Sequence, residues 1–304
     1  MKALIFGARG QDGFYMADLL RTEGVEPVSI SRSAGTDWIS GDVRDRAQVE
    51  HLIREHQPGY VFDFAANSTT RHDALYENHE TISTGTLNIL EAVRNHSPAT
   101  RVFLSGSGLQ FENVGEPIAE TAPFAATSAY AVARIQSVYA ARYYRSLGLR
   151  AFVGYFFHHE SPRRGPHHVS QIVAQAVRRI ADGSSETLEL GDLSVRKEWG
   201  FAGDIVRGAW TLVTQDEVFE AAIGTGVAHS ISEFVEACFS HVGRDWRQHV
   251  KQREGFVAEY GCLVSDPARI RALGWRPKVA LPELAALMVD AATNDAAPAA
   301  QHVR

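Results

Sequence analysis

The chain has 304 residues, 45% hydrophobic and 22% charged, with a formal net charge of -6. That balance is ordinary for a globular protein of one large or two small domains, and it lacks the basic excess of a nucleic-acid-binding domain. Cys238 and Cys262 are too few for a disulfide framework. No apolar run reaches the ~18 residues of a membrane helix, and Met1 to Gly7 carries no leader pattern. The expected setting is therefore reduced and cytoplasmic, with no membrane and no nucleic acid as partner.

Ala3 to Phe6 is a short apolar run closed by glycine, and Phe14 to Arg21 follows with helical spacing. Pro27 to Ile30 reads as a second strand. Val49 to Glu55 is helical, Tyr60 to Phe64 a third strand, and Thr84 to Asn95 a helix with Leu87, Leu90 and Val93 on one face. Arg101 to Leu104 is a fourth strand, Ala129 to Leu147 a long helix, and Arg150 to Val153 opens a fifth strand. Strands alternating with long helices predict a doubly wound α/β fold, a Rossmann-like parallel sheet covered on both faces. The alternation loosens after Gly165. A dinucleotide-binding domain over residues 1–165 and a smaller mixed α/β substrate domain over 166–290 are expected, with strands free to interleave. The Ala-rich stretch 291–304 reads as a flexible tail.

Gly7, Arg9, Gly10, Gln11, Asp12 and Gly13 lie between the first strand and its helix. Glycines there allow a tight turn and close approach of backbone to a pyrophosphate seated on the helix N-terminus. The second strand ends at Ser31, Arg32 and Ser33. An NAD site usually carries a carboxylate at that point, to bond the ribose 2′-hydroxyl. A guanidinium and hydroxyls suit a 2′-phosphate instead, so the expected cofactor is NADP(H). Asp42 and Val43 follow a short third element, where Asp42 could bond the adenine. Ala65 and Ala66 end the next strand with small side chains beside the cofactor.

Ser107 ends a strand, and Tyr130 and Arg134 lie in the long helix downstream. A cation four residues after a tyrosine shares its helix face and favours a phenolate electrostatically. The serine hydroxyl completes a proton-transfer set. Histidines 158, 159, 167 and 168 lack a cysteine or carboxylate at ligand spacing, so no metal is expected.

Here the chain resembles the extended short-chain dehydrogenases/reductases, and within them the GDP-mannose 4,6-dehydratase family. The likeness rests on Gly10-Gln-Asp-Gly13, Glu120 to Phe124, Ser128 to Ala133, His159-Glu-Ser-Pro-Arg-Arg-Gly165, Glu198-Trp-Gly200 with Asp204, and Leu273 to Pro277. The resemblance implies Tyr130 as acid/base, cofactor contacts from Tyr130, Arg134, His159 and Arg164, and a GDP-sugar held by the C-terminal part. It also implies a homodimer or higher homo-oligomer. The chain departs from the pattern in several places. Arg134 replaces the family's lysine. The carboxylate of the family's Thr-x-Glu is absent whether the register starts at Ser107, leaving Leu109, or at Gly106, leaving Gly108. Glu112 is out of register. His158 stands where the family has Asn, Gln171 and Ile172 replace a basic pair, and Lys197 replaces an arginine that would grip the diphosphate. Ser107, His158 and Lys197 are thus the candidate substrate contacts. Elimination needs a base at C5, whereas reduction at C4 does not. The expected function is NADPH-dependent reduction of a 4-keto, 6-deoxy nucleotide sugar, GDP-linked in preference to other bases. A 4,6-dehydratase or an epimerase is the alternative, and a non-catalytic cofactor-binding relative the second.

Overall fold

The computed structural model describes residues 1–33 and 35–292. The chain runs β1 (Lys2–Phe6), α1 (Gln11–Thr22), β2 (Glu26–Ser31), β3 (Ile39–Ser40), α2 (Arg46–His56) and β4 (Tyr60–Asp63). Next come α3 (Leu75–Asn78) and α4 (Gly85–His96), joined by a wider π turn over His79–Thr84, then β5 (Arg101–Ser107), α5 (Ala129–Ser146) and β6 (Arg150–Phe156). The remainder is β7 (His159–Glu160), α6 (Val169–Ala181), β8 (Leu188–Leu190), β9 (Arg196–Glu198), β10 (Gly200–Phe201), α7 (Ala202–Val213) and β11 (Glu220–Ile223). It closes with β12 (Ala228–Ser230), α8 (Ile231–His241), β13 (Val250–Gln252), β14 (Cys262–Leu263), α9 (Ala268–Ala272) and α10 (Leu281–Ala291).

One seven-stranded sheet has the order β11-β6-β5-β4-β1-β2-β3, with every pairing parallel. Successive side chains of a strand point to opposite faces, and β1 shows the result. Leu4 and Phe6 enter the core formed with α2, α4 and α5, whereas Ala3 and Ile5 enter the core formed with α1 and α7. Both faces are buried, which is why these strands read as continuous apolar runs. The strand order reverses between β1 and β4, and such a switch point opens a crevice at the strands' carboxyl ends.

After Gly165 the chain builds α6 and β8 to β10, then returns to the sheet with α7 and β11. A third core, centred on Trp199 stacked on Phe234 with centroids 4.1 Å apart, joins α6, α8 and α10. Ala291 closes α10 instead of opening a tail, and residues 293–304 lie outside the described residues. β5 ends at Ser107, as expected, and β6 continues past Val153 to Phe156, the two strands pairing along this whole length.

Candidate active site

Gly7 turns the chain out of β1 with φ +81°, and a Cβ there would meet the Ala65 nitrogen at 2.8 Å. At Gly13 a Cβ would meet Ala8 Cα and the Gly7 carbonyl at 2.5 Å. Only glycine lets the loop fold this close to its own helix and to the end of β4. The crevice beside it is a cavity of about 390 Å³. Gly7, Arg9, Gly10, Ser31, Arg32, Val43, Ala65 and Ala66 all line it, and no carboxylate among the described residues does. Arg9 donates to the Ser33 hydroxyl at 3.2 Å, and Arg32 reaches Glu77 at 3.5 Å on the exposed rim. Asp42 differs from expectation. Its carboxylate accepts the Arg44 backbone N–H and is gripped by the Arg44 guanidinium at 2.6 Å, so Val43 lines the cavity and Asp42 does not. Thr81, in the π turn, also lines it, and its buried hydroxyl has no hydrogen-bond partner among the described residues. A glycine cradle, a polar rim and an orphaned hydroxyl fit a dinucleotide.

Gln11 and Asp12 serve differently from the glycines. Gln11 is buried; its amide donates to the His159 carbonyl at 3.2 Å, and its oxygen accepts from the Ser161 hydroxyl at 2.9 Å. Asp12 meets His159 Nε2 at 2.8 Å, while His159 Nδ1 lies 2.7 Å from the Phe157 carbonyl. Burial raises the Asp12 carboxyl, but His159, Arg164 and Arg134 together outweigh it and the net shift is downward. Burial likewise lowers the imidazole, but Asp12 and the Phe157 carbonyl together outweigh it and the net shift is upward. The start of α1 is thus latched to the His159–Gly165 stretch.

A second cavity of about 240 Å³ continues the first, sharing Gly10, Phe64 and Ala66 with it. Ser107, Tyr130, Arg134, His158, His159 and Arg164 line it. Tyr130 and Arg134 are buried on the inner face of α5. Arg134 Nε donates to the Tyr130 hydroxyl at 3.1 Å; one terminal nitrogen donates to the Ser105 carbonyl and, at 3.0 Å, to the Ser105 hydroxyl. Ser107 is buried and accepts the Leu109 N–H at 3.2 Å. The one carboxylate lining this cavity among the described residues is Asp12, already held by His159. Glu112 is exposed and lines no part of it. A side chain at 108 would meet the Phe157 ring at 2.7 Å.

Lys197 sits apart from these walls. Its ammonium is buried 4.4 Å over the Trp199 ring and 3.9 Å from Glu160, where burial lowers its pKa. An isolated buried ammonium is costly, and the Glu160 carboxylate offsets part of that cost. Glu160 also accepts from Ser170 at 2.8 Å and pairs with Arg164 at 3.2 Å. A third, larger cavity of about 860 Å³ shares Gly108, Leu109 and Leu263 with the Tyr130 cavity and extends past Asn113, Ser128 and Tyr260. Thr81 and Tyr260 went unseen in the sequence because neither lies in a motif or a periodic segment.

The model of the family described as GDP-mannose 4,6 dehydratase matches residues 4–288. "GDP-mannose 4,6 dehydratase 1" of Arabidopsis thaliana is 30% identical over 95% of this chain and 88% of its own length. Among solved structures, a UDP-glucose 4-epimerase of Thermus thermophilus in complex with NAD superposes with TM-score 0.81 at 24% identity, covering 96% of this chain and 98% of that one. RMD from Pseudomonas aeruginosa complexed with NADPH superposes with TM-score 0.82 at 19% identity, covering 95% and 96%.

Proposed function

The chain belongs to the GDP-mannose 4,6-dehydratase family, and on that premise we propose that it moves a hydride between C4 of a GDP-linked sugar and NADP(H). The carrying observation is the buried Arg134–Tyr130 contact at 3.1 Å, opening with Ser107 onto one cavity. In this reading Tyr130 takes the C4 hydroxyl proton as the alcohol becomes a ketone and returns it in reduction. Ser107 bonds the same oxygen, and Arg134 holds the phenol in place. The bound nicotinamide supplies the hydride acceptor and donor. The glycine cradle, Thr81 and the Arg9, Arg32 and Ser31 rim would hold it, and a cavity lining without a carboxylate among the described residues supports NADP(H).

Family membership favours a 4,6-dehydratase: oxidation at C4, loss of water across C5 and C6, and return of the hydride. A second reading, NADPH-dependent reduction of a 4-keto sugar, is favoured by the lack of a free carboxylate beside Tyr130 among the described residues. Product analysis with GDP-mannose and with GDP-4-keto-6-deoxymannose separates the two. A 4-keto product from GDP-mannose without net change in nicotinamide absorbance supports the dehydratase. NADPH oxidation by the keto sugar supports the reductase. Cofactor binding with neither reaction would overturn both and leave a non-catalytic relative.

A further inference from the structure

One pair of titratable side chains at the border of the Tyr130 cavity has no part in hydride transfer. His158 lies two residues past β6, and Tyr260 lies in the loop before β14. Their closest atoms, the Tyr260 hydroxyl and His158 Nε2, are 3.1 Å apart, and the ring centroids are 5.9 Å apart. His158 lines the catalytic cavity and Tyr260 the adjoining one, and Gly108 and Leu109 belong to the walls of both. Those two positions are where the family's carboxylate would stand, in one register or the other. A hydroxyl–imidazole pair therefore borders the space from which a carboxylate has been lost.

The surroundings keep the pair neutral. Burial holds His158 well below the usual imidazole range, and Lys197, Arg164, His159 and His168 act in the same direction. Burial raises the Tyr260 phenol, with Glu259, Glu160 and Cys262 adding to it. A neutral imidazole has a free lone pair to receive the Tyr260 proton; its low basicity makes that transfer transient, and an imidazolium set among cations returns the proton readily.

Resting on the dehydratase reading of C4 chemistry, we propose that Tyr260 and His158 are the second acid–base pair of this site and carry the proton that a carboxylate carries elsewhere in the family. The Tyr260 oxygen takes the C5 proton as its own proton passes to His158 Nε2. The C5–H electron pair forms the C5–C6 double bond while the C6–O bond breaks. The proton returns through the pair to the departing 6-hydroxyl, which leaves as water. Nothing is oxidised or reduced in this step.

The test is solvent exchange. The holoenzyme is incubated with GDP-4-keto-6-deoxymannose in D2O, and deuterium at C5 is followed by proton NMR and mass spectrometry against a no-enzyme control. The wild type should incorporate deuterium. Tyr260→Phe, which keeps the ring and removes only the hydroxyl, and His158→Gln should each slow incorporation by about 10²-fold or more, with circular dichroism verifying that both are folded. Incorporation at the wild-type rate in both variants overturns the pair, as does no incorporation in the wild type. Incorporation without any C4 turnover keeps the pair and removes the C4 reading; C4 turnover without incorporation does the reverse.

Discussion

At the scale of single residues, the proposed reaction rests on a phenol held by the guanidinium of an arginine one helix turn away. Tyr130→Phe removes the proton donor and leaves the ring, so kcat for C4 hydride transfer should fall by roughly 10²–10⁴-fold. Single-turnover nicotinamide absorbance measures this, and an unchanged rate would dismiss Tyr130 as acid/base. Arg134→Lys keeps the charge but not the fork that reaches Tyr130 and Ser105 together, so it should keep more activity than Tyr130→Phe. Asp63, at the end of β4, is a different case. Burial raises its carboxyl to about 7, although the Ala65 N–H and the nearby Arg134 pull the other way. The folded chain then holds this proton more tightly than the unfolded chain, whose carboxyl titrates near 3.8. Stability is lost as pH rises from about 4 to 7 and is not regained above. Asp63→Asn should remove that slope and stabilise the protein at pH 8 by at most about 4 kcal/mol. Denaturant unfolding at pH 5 and pH 8 checks it, and an equal effect at both would show that the carboxyl stays ionised.

At the scale of elements, two junctions decide how the cofactor sits. The first is the end of β2, where Ser31, Arg32 and Arg9 line one cavity that no carboxylate among the described residues lines, Glu77 reaching Arg32 only from outside it. NADPH should bind at least ~10-fold more tightly than NADH, a difference of about 1.4 kcal/mol. Fluorescence titration with each would show it, and equal affinities would remove the case for the phosphate. The second is the latch between α1 and the stretch that begins at β7. His159 is raised above its ordinary 6.5, so its contribution is full below that value and is lost as pH rises through the raised one. Asp12 is depressed below 3.8, so its share is present above 3.8 and is lost as pH falls through the depressed value. The charged latch is therefore strongest between roughly pH 4 and 6.5. A hydrogen bond between charged groups contributes about 1.5–3 kcal/mol. His159→Gln should lower Tm at pH 6 and flatten the decline of Tm between pH 6 and 9. A parallel decline in wild type and variant would assign that slope to other groups.

At the scale of the whole molecule, legibility followed the range of the interaction. The sheet could be read because β1, β2, β4, β5 and β6 are locally apolar, and the glycine loop because its demand on the backbone is local. The Tyr130–Arg134 pair is one helix turn apart. What escaped was long-range: Tyr260 meets His158 across 102 residues, Ser161 meets Gln11 across 150, and Lys197 is drawn to Glu160 by burial that spacing does not reveal. The outer face of α5 is legible only in part: Tyr139 and Tyr143 are exposed as their helical spacing suggests, whereas Val138, which the same reading places outside, is buried in the core. On α5, Val132, Tyr139 and Tyr143 are exposed, as is Leu147 at its C-terminal end, the tyrosines by 58% and 60%, while Tyr130 and Arg134 face inward. Spacings of seven, four and four place those four on one stripe of the helix, and Leu87 on the neighbouring α4 is 47% exposed. An apolar stripe of that kind on a domain surface asks for a partner, and a second copy of the same stripe across a two-fold axis would supply one. Light scattering at micromolar concentration should therefore give twice the chain mass of 33.4 kDa. Tyr139→Glu with Tyr143→Glu should return it to the monomer, since charges placed face to face in an apolar seam are costly. A monomeric wild type would leave the stripe as ordinary surface, and a dimer unaffected by both charges would place the seam elsewhere.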